Sequence, residues 1–327
     1  RHDASCSDDG RSQCAGAHLA GEAGVARPLK VGVQLPEVER VVSWPELREM
    51  AVTAEAIGLD SLWFGDHLLY RYPDGEERGP WEAWSSMAAV AAITERVTIG
   101  PLVACVSFHN PAVMAKMAVA LDEIAGGRLI LGLGAGWNKT EYAAFGLRYD
   151  HRVSRFAEAF AIIRGLLVEG RVDYRGTYHS APDCVLLPPP RPGGPPLMVG
   201  SMGERMLGIT LPHVAAWNAW YTWFDNSPEG YRPLRDRIDA ACRAAGRDPL
   251  EVERTLALLV RLPGATGRPV GDVADPQPEP IDGAAWPLAA TLRAFAAEGV
   301  AHVQLVLDPI SVESIRALAP ALARLDA

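Results

Sequence analysis

From Lys30 onward the chain alternates, eight times over, a short apolar run with a longer stretch of helical character. This cadence constrains the fold more than any single motif. Runs that are apolar throughout, and not merely at every second position, suit strands buried on both faces. Parallel strands must be joined by crossovers long enough to hold a helix. The runs are Lys30–Leu35, Ser61–Phe64, Val97–Val103, Leu129–Leu133, Leu197–Val199, Val214–Trp217, Arg254–Leu262 and His302–Leu307. Between and after them lie helical stretches with recognisable punctuation. Ser43 reads as an N-cap, with Pro45 in the first turn and Glu46 completing a capping box; that helix stops at Gly58. Further helices are expected over Trp81–Thr94, from Asn110-Pro111 to Gly126-Gly127, and over Arg152–Val168, where Phe156, Phe160, Ile163 and Leu167 share one face. The last four are Glu204–Leu211, Tyr231–Ala245, Trp286–Ala297 and Ser311–Leu325. Strand–helix alternation sustained over about 300 residues predicts a TIM (β/α)8 barrel, with a doubly wound open sheet as the alternative.

Two segments interrupt the rhythm. Residues 170–195 read as a β-hairpin insertion with a proline-rich turn, and 263–285 as a Pro/Gly/Asp loop without a chemical signature. Residues 29–327 are thus expected to form one domain. Residues 1–28 are small, polar and aperiodic, without the apolar segment of a secretory signal; they are expected to be a disordered leader or an over-extended start.

Charge and cysteine usage exclude several function classes. The net charge of −9 (31 basic, 40 acidic), with no block of like charge, argues against a nucleic-acid surface. No apolar run reaches membrane-spanning length. The five cysteines form no CxxC and the histidines no HxxxH or HExxH, so a cytoplasmic, thiol-reduced protein without a metal site is expected.

A barrel keeps its chemistry at the C-terminal ends of its strands, which reduces the search to a few segments. The second strand ends in Asp66-His67, a pair suited to proton transfer; the plainer alternative is a capping Asp beside a packed His. Tyr70 and Arg71 follow. The third strand runs into Cys105, read as a buried, inert thiol. The fourth ends in Gly132, Gly134 and Gly136 around Leu133 and Ala135, followed by Trp137. Glycines there would let a ligand lie against bare backbone, although GxGxG before Trp137 is not the GxGxxG dinucleotide fingerprint. After the fifth strand, Gly200-Ser201-Met202-Gly203 opens a helix and reads as an anion site or a plain capping turn. Beyond the sixth, Tyr221, Trp223 and Phe224 are candidate pocket walls, whereas Trp217 is expected in the core.

Four segments, GLDSLWFGDHL (58–68), residues 109–146 around GLGAGW, RFAEAFAIIRGLL (155–167) and PPLMVGSMGERMLGITLPHVAAWNAW (195–220), together resemble the luciferase-like monooxygenase superfamily. Within it the chain looks most like the enzymes that use coenzyme F420, a deazaflavin hydride carrier. The resemblance implies Asp66 and His67 as the proton-handling pair. It implies a cofactor site built from Leu102 and Val103, from Gly134, Ala135, Gly136 and Trp137, and from Gly200, Ser201, Met202 and Gly203. Tyr70, Tyr221 and Trp223 would shape the substrate pocket. It also implies a non-prolyl cis peptide near Leu102–Val103, behind the cofactor ring. Luciferases carry an Arg in the glycine loop where this chain has Ala135, and the family's sugar-phosphate dehydrogenases a Glu where it has Trp137. Met202 stands where a small residue is usual. The resemblance therefore implies an F420-dependent oxidoreductase acting on a small organic molecule. The alternatives are an FMN-dependent monooxygenase fed by a partner reductase and a non-catalytic flavin-binding barrel. Family members are often homodimers.

Overall fold

The computed structural model describes residues 27–271 and 277–327. Eight parallel strands form the barrel wall: β1 (Lys30–Gln34), β2 (Ser61–Phe64), β3 (Thr98–Pro101), β4 (Leu131–Gly134), β5 (Leu197–Gly200), β6 (Ala216–Ala219), β7 (Glu253–Arg261) and β8 (Val300–Asp308). Each pairs with its sequence neighbours except across the β3–β4 junction, and β1 pairs with β8, Val33 lying opposite both Leu62 and Leu305. The ring closes through the parallel bridge Ile99–Leu129 and through Ala104–Cys105, which continue β3 and pair with Leu133 and Gly134 of β4. The barrel, not the open sheet, is therefore the architecture.

The helices α1 (Trp44–Ala56), α2 (Ala83–Ala91), α3 (Pro111–Ile124), α4 (Lys139–Ala144), α5 (Arg152–Glu169), α6 (Glu204–Thr210), α7 (Pro228–Ala244), α8 (Ala285–Ala297), α9 (Val312–Ala317) and α10 (Ala319–Leu325) surround this wall. Ser43, Asn110 and Ser227 cap α1, α3 and α7 with their side-chain oxygens, and Gly170 ends α5 in the left-handed region. The expected α5 stripe, Phe156, Phe160, Ile163 and Leu167, is buried against the barrel. No helix among the described residues is long and apolar enough to cross a membrane.

The barrel interior is partly polar. Trp63 sits fully buried with Met198 and Ala216, and its indole N–H donates to Ser61 Oγ at 2.7 Å. Ser61 Oγ lies 2.7 Å from His302 Nε2. Burial pushes the His302 pKa down to about 3, so the ring is neutral and its Nε2 can accept the serine proton. Asn218 Nδ2 donates to Thr255 Oγ1 and to Gln304 Oε1, each at 2.8 Å.

Several boundaries differ from expectation. The second helix begins at Ala83, because Glu82 accepts the backbone N–H groups of Trp84 and Ser85 as its cap. The third strand does not run to Val103: it breaks after Pro101, and the Leu102–Val103 peptide bond is cis. The last helix is split into α9 and α10. The hairpin insertion forms as Arg171–Arg175 against Ser180–Val185. Residues 1–26 of the expected leader and 272–276 of the 263–285 loop lie outside the described residues. Arg27, assigned to the leader, is part of the fold: its guanidinium donates to Asp326 and to the Gly58 carbonyl.

The glycines of the fourth strand answer to neighbouring side chains. A Cβ on Gly134 would lie 2.7 Å from Val103 Cγ2, and one on Gly200 3.3 Å from Val103 Cγ1. What occupies the space they leave is Val103. Gly136 has φ +73°, and a Cβ there would lie 2.5 Å from Cys105 Sγ. Gly136→Ala is accordingly expected to destabilise the protein by ~2–3 kcal/mol through backbone strain and overpacking. A lower urea midpoint with an unchanged m-value would register this.

Candidate active site

A cavity of about 610 Å³ opens among the C-terminal ends of the strands, within the range of small-molecule sites. Asp66, His67, Tyr70, Leu102, Val103, Gly134, Ala135, Gly136, Trp137, Gly200, Ser201, Met202, Gly203 and Trp223 all line it. Tyr221 does not. It is fully buried, because the short 3-10 turn Tyr221–Trp223 directs it inward, where its hydroxyl accepts from Arg268 Nη1 at 3.4 Å. Phe224 is likewise core, packed against Tyr231 and Phe295. Trp220 and Thr222 supply the wall there instead.

His67 is held by carboxylates from distant parts of the chain. Glu141, in the first turn of α4 and completely buried, faces His67 Nδ1 at 3.0 and 3.2 Å and accepts the Leu68 N–H at 2.9 Å. Glu37, just after β1, has Oε1 3.7 Å from His67 Nε2. Burial opposes protonation of the imidazole, but the Glu141 hydrogen bond and the charges of Glu37, Glu141 and Asp66 outweigh it, so the pKa lies above the usual 6.5. Trp137 meets the ring edge-on at 5.4 Å between centroids, and Tyr70 lies at 4.9 Å.

The expectation that Asp66 orients His67 is therefore corrected. The Asp66 carboxylate turns away and accepts the Cys105 N–H at 2.8 Å, tying the end of β2 to the resumed third strand. The two side chains diverge in the loop after β2, and the partner of His67 comes from another element. Burial raises the Asp66 pKa from 3.8 to about 7. The Cys105 thiol, buried beside the Tyr142 hydroxyl at 3.1 Å, is pushed up to about 12 by burial and stays protonated.

Glu37 organises the far side. It accepts from the Tyr70 hydroxyl and from Gln34 Nε2, and Arg268 Nη2 lies 3.5 Å from its Oε2. Gly65 leaves room for it: a Cβ there would collide with the Glu37 carboxylate. Arg268 also donates from Nε to Glu39 Oε1 at 2.6 Å, and the guanidinium charge keeps Glu39 ionised against its burial. Sequence reasoning missed Glu37 and Arg268. A Glu after a strand and an Arg in a Pro/Gly-rich loop are ordinary surface residues until the chain folds. A second guanidinium reaches the glycine loop from α5: Arg152 donates to the Gly136 carbonyl at 2.5 Å and lies over the Tyr149 ring at 4.0 Å.

The lining fits a flat cofactor with an anionic tail. Leu102 and Val103 supply an apolar floor, with Gly134 and Gly200 presenting bare backbone beside it. Gly203 starts α6 without a side-chain cap and donates its N–H to Ser201 Oγ at 3.3 Å, while Trp217 Nε1 and Arg237 Nη2 hold the Ser201 and Met202 carbonyls at 2.7 Å each.

Residues 23–262 match the family model described as luciferase-like monooxygenase. Among curated proteins, the chain is 39% identical over 145 residues to an F420-dependent glucose-6-phosphate dehydrogenase of Amycolatopsis mediterranei (strain U-32), covering 42% of each chain. It is 32% identical over 173 residues to the pyrimidine monooxygenase RutA of Cronobacter sakazakii (strain ATCC BAA-894), covering 51% of this chain and 50% of that one. The chain thus spans about half the length of these relatives. Among solved structures, an F420-dependent secondary alcohol dehydrogenase in complex with an F420-acetone adduct superposes with a TM-score of 0.75 at 20% identity, over 91% of this chain and 99% of that one, which shows the shared fold.

Two outcomes follow from the site electrostatics. Removing the negative charge next to Nδ1 in Glu141→Gln should lower the His67 pKa, read by NMR titration of the imidazole. Asp66, with its pKa raised from 3.8 to about 7, retains in the folded state a proton that the unfolded chain has lost over that interval. Its contribution to stability should therefore fall as pH rises from about 4 to about 7. Urea unfolding across this window should show a weaker loss in Asp66→Asn, whose amide oxygen can still accept the Cys105 N–H.

Proposed function

The chain belongs to the luciferase-like monooxygenase family, and from that membership and the site's geometry we propose that it is a coenzyme F420-dependent oxidoreductase acting on a small organic molecule. The observation that carries this reading is the clamping of His67 between Glu141 and Glu37 at the edge of a cavity with an apolar floor. Transfer of a hydride to or from a carbon bearing oxygen needs a proton moved at that oxygen, and a positioned imidazole serves that need. The 39% identity with an F420-dependent dehydrogenase supports the choice of cofactor.

Coenzyme F420, when bound, supplies a two-electron hydride centre that reacts poorly with O₂. Leu102 and Val103 would support its ring from below, and Gly134, Ala135, Gly136 and Trp137 would form one wall. Gly200, Ser201, Met202 and Gly203 would meet its phosphate. Glu141 fixes the ring orientation of His67 through Nδ1, and Nε2, which at 3.7 Å from Glu37 Oε1 is not hydrogen-bonded to it, would donate or take the substrate proton. Tyr70 holds Glu37 in place. Trp137, Trp220 and Trp223 would exclude water from the substrate space.

A second reading, an FMN-dependent monooxygenase supplied with reduced flavin by a partner reductase, is favoured by the similarity to RutA, which extends over more of the chain. Titration of the purified chain with each cofactor separates the two. Micromolar or tighter binding of F420, with weaker binding of reduced FMN, is expected; tight FMN binding with none for F420 would overturn the proposal. In the F420-loaded protein, His67→Ala should reduce turnover by roughly 10²–10⁴-fold while changing F420 affinity little.

A further inference from the structure

The end of the cavity beside His67 offers a cation that is already neutralised. Arg268 is 4% exposed, and its guanidinium faces partners inside the protein. Nε donates to Glu39 Oε1 at 2.6 Å, Nη2 lies 3.5 Å from Glu37 Oε2, and Nη1 donates to the Tyr221 hydroxyl at 3.4 Å. The guanidinium carbon sits 5.5 Å from the centre of the Trp220 ring. Arg152, the other guanidinium lining the cavity among the described residues, is engaged with the Gly136 carbonyl and the Tyr149 ring. Glu37 and Glu141 flank the imidazole and Tyr70 and Trp137 pack against it, while Trp220, Trp223 and Val270 also line the cavity.

An anionic substrate brought to His67 would meet carboxylates at short range in a poorly solvated space. To gain Arg268 it would compete with Glu37 and Glu39, and a carboxylate displaced there would be left desolvated without its guanidinium. An uncharged molecule meets neither obstacle and can place its aromatic-facing surface on the tryptophans.

We infer that the substrate accepted beside His67 is an uncharged organic molecule carrying an oxygen for the imidazole to hydrogen-bond, and that the Glu37–Arg268–Glu39 cluster rejects phosphorylated and carboxylated analogues. This rests on the oxidoreductase reading for the role of the site, whereas the charge preference is measurable without it.

The test is calorimetric titration of the full chain, with and without F420, using two matched pairs: glucose with glucose 6-phosphate, and cyclohexanol with cyclohexanecarboxylate. In the wild type an uncharged member should bind at least tenfold more tightly than its anionic counterpart. In Glu39→Gln, which frees one face of Arg268, the anion should gain at least tenfold while the uncharged member shifts less than threefold. Equal or tighter binding of the anions by the wild type overturns the inference, as does no detectable binding of either uncharged probe. An unchanged ratio in folded Glu39→Gln also overturns it; should that variant not fold, the wild-type ratios decide. Absence of F420 binding would count against the cofactor reading alone, since the charge preference is also read without coenzyme.

Discussion

The Glu37 carboxylate joins the parts on which the candidate site depends. It leaves the chain just after β1, passes over the bare backbone of Gly65 at the end of β2, and reaches Tyr70, Gln34, Arg268 and the open side of His67. Three loops from separate βα units are thereby tied to one buried charge. A carboxylate so placed is tolerable only because it has hydrogen-bond donors and a guanidinium around it. The same partners hold Arg268 over the cavity, and Asp308 accepts the Thr266 and Gly267 N–H groups to pin the loop that carries it.

Opposite this cluster, the floor of the cavity is a packing problem solved with glycines. Val103 projects among Gly132, Gly134 and Gly200, where any side chain would crowd it. Asp66 secures the same region from the second strand by holding the Cys105 N–H. Residues read as ligand contacts therefore have a prior role in shaping the wall that a ligand would touch. Close packing of this kind keeps a binding surface rigid, as the proposed alignment of a planar cofactor with a proton donor would require.

The Asp66-His67 pair illustrates how far sequence adjacency carries. Its location at a strand end, and hence at the cavity, follows from the strand–helix cadence and the rule that barrels keep chemistry on one face. Its internal wiring does not follow. In the loop after β2 the two side chains part, His67 to Glu141, 74 positions away, and Asp66 to Cys105. Tyr221 differs for a similar reason: an aromatic cluster after a strand promises a pocket wall, but a tight turn decides which rings face inward.

By itself the sequence determined the eightfold alternation, the positions of the strand ends, the hairpin insertion and the glycine loop, because these depend on local periodicity and on residues with restricted or permissive backbones. The Leu102–Val103 cis bond also stands where the family resemblance placed it. Only the tertiary structure decided that Glu37 and Glu141 meet at His67 with Arg268 behind Glu37, and that the guanidinium at the glycine loop comes from Arg152. Charged residues in loops carry no pattern that distinguishes a solvated side chain from a buried one. Their roles arise when barrel closure brings the ends of β1, β2, β4 and β7 together in a space too dry for an unpaired charge.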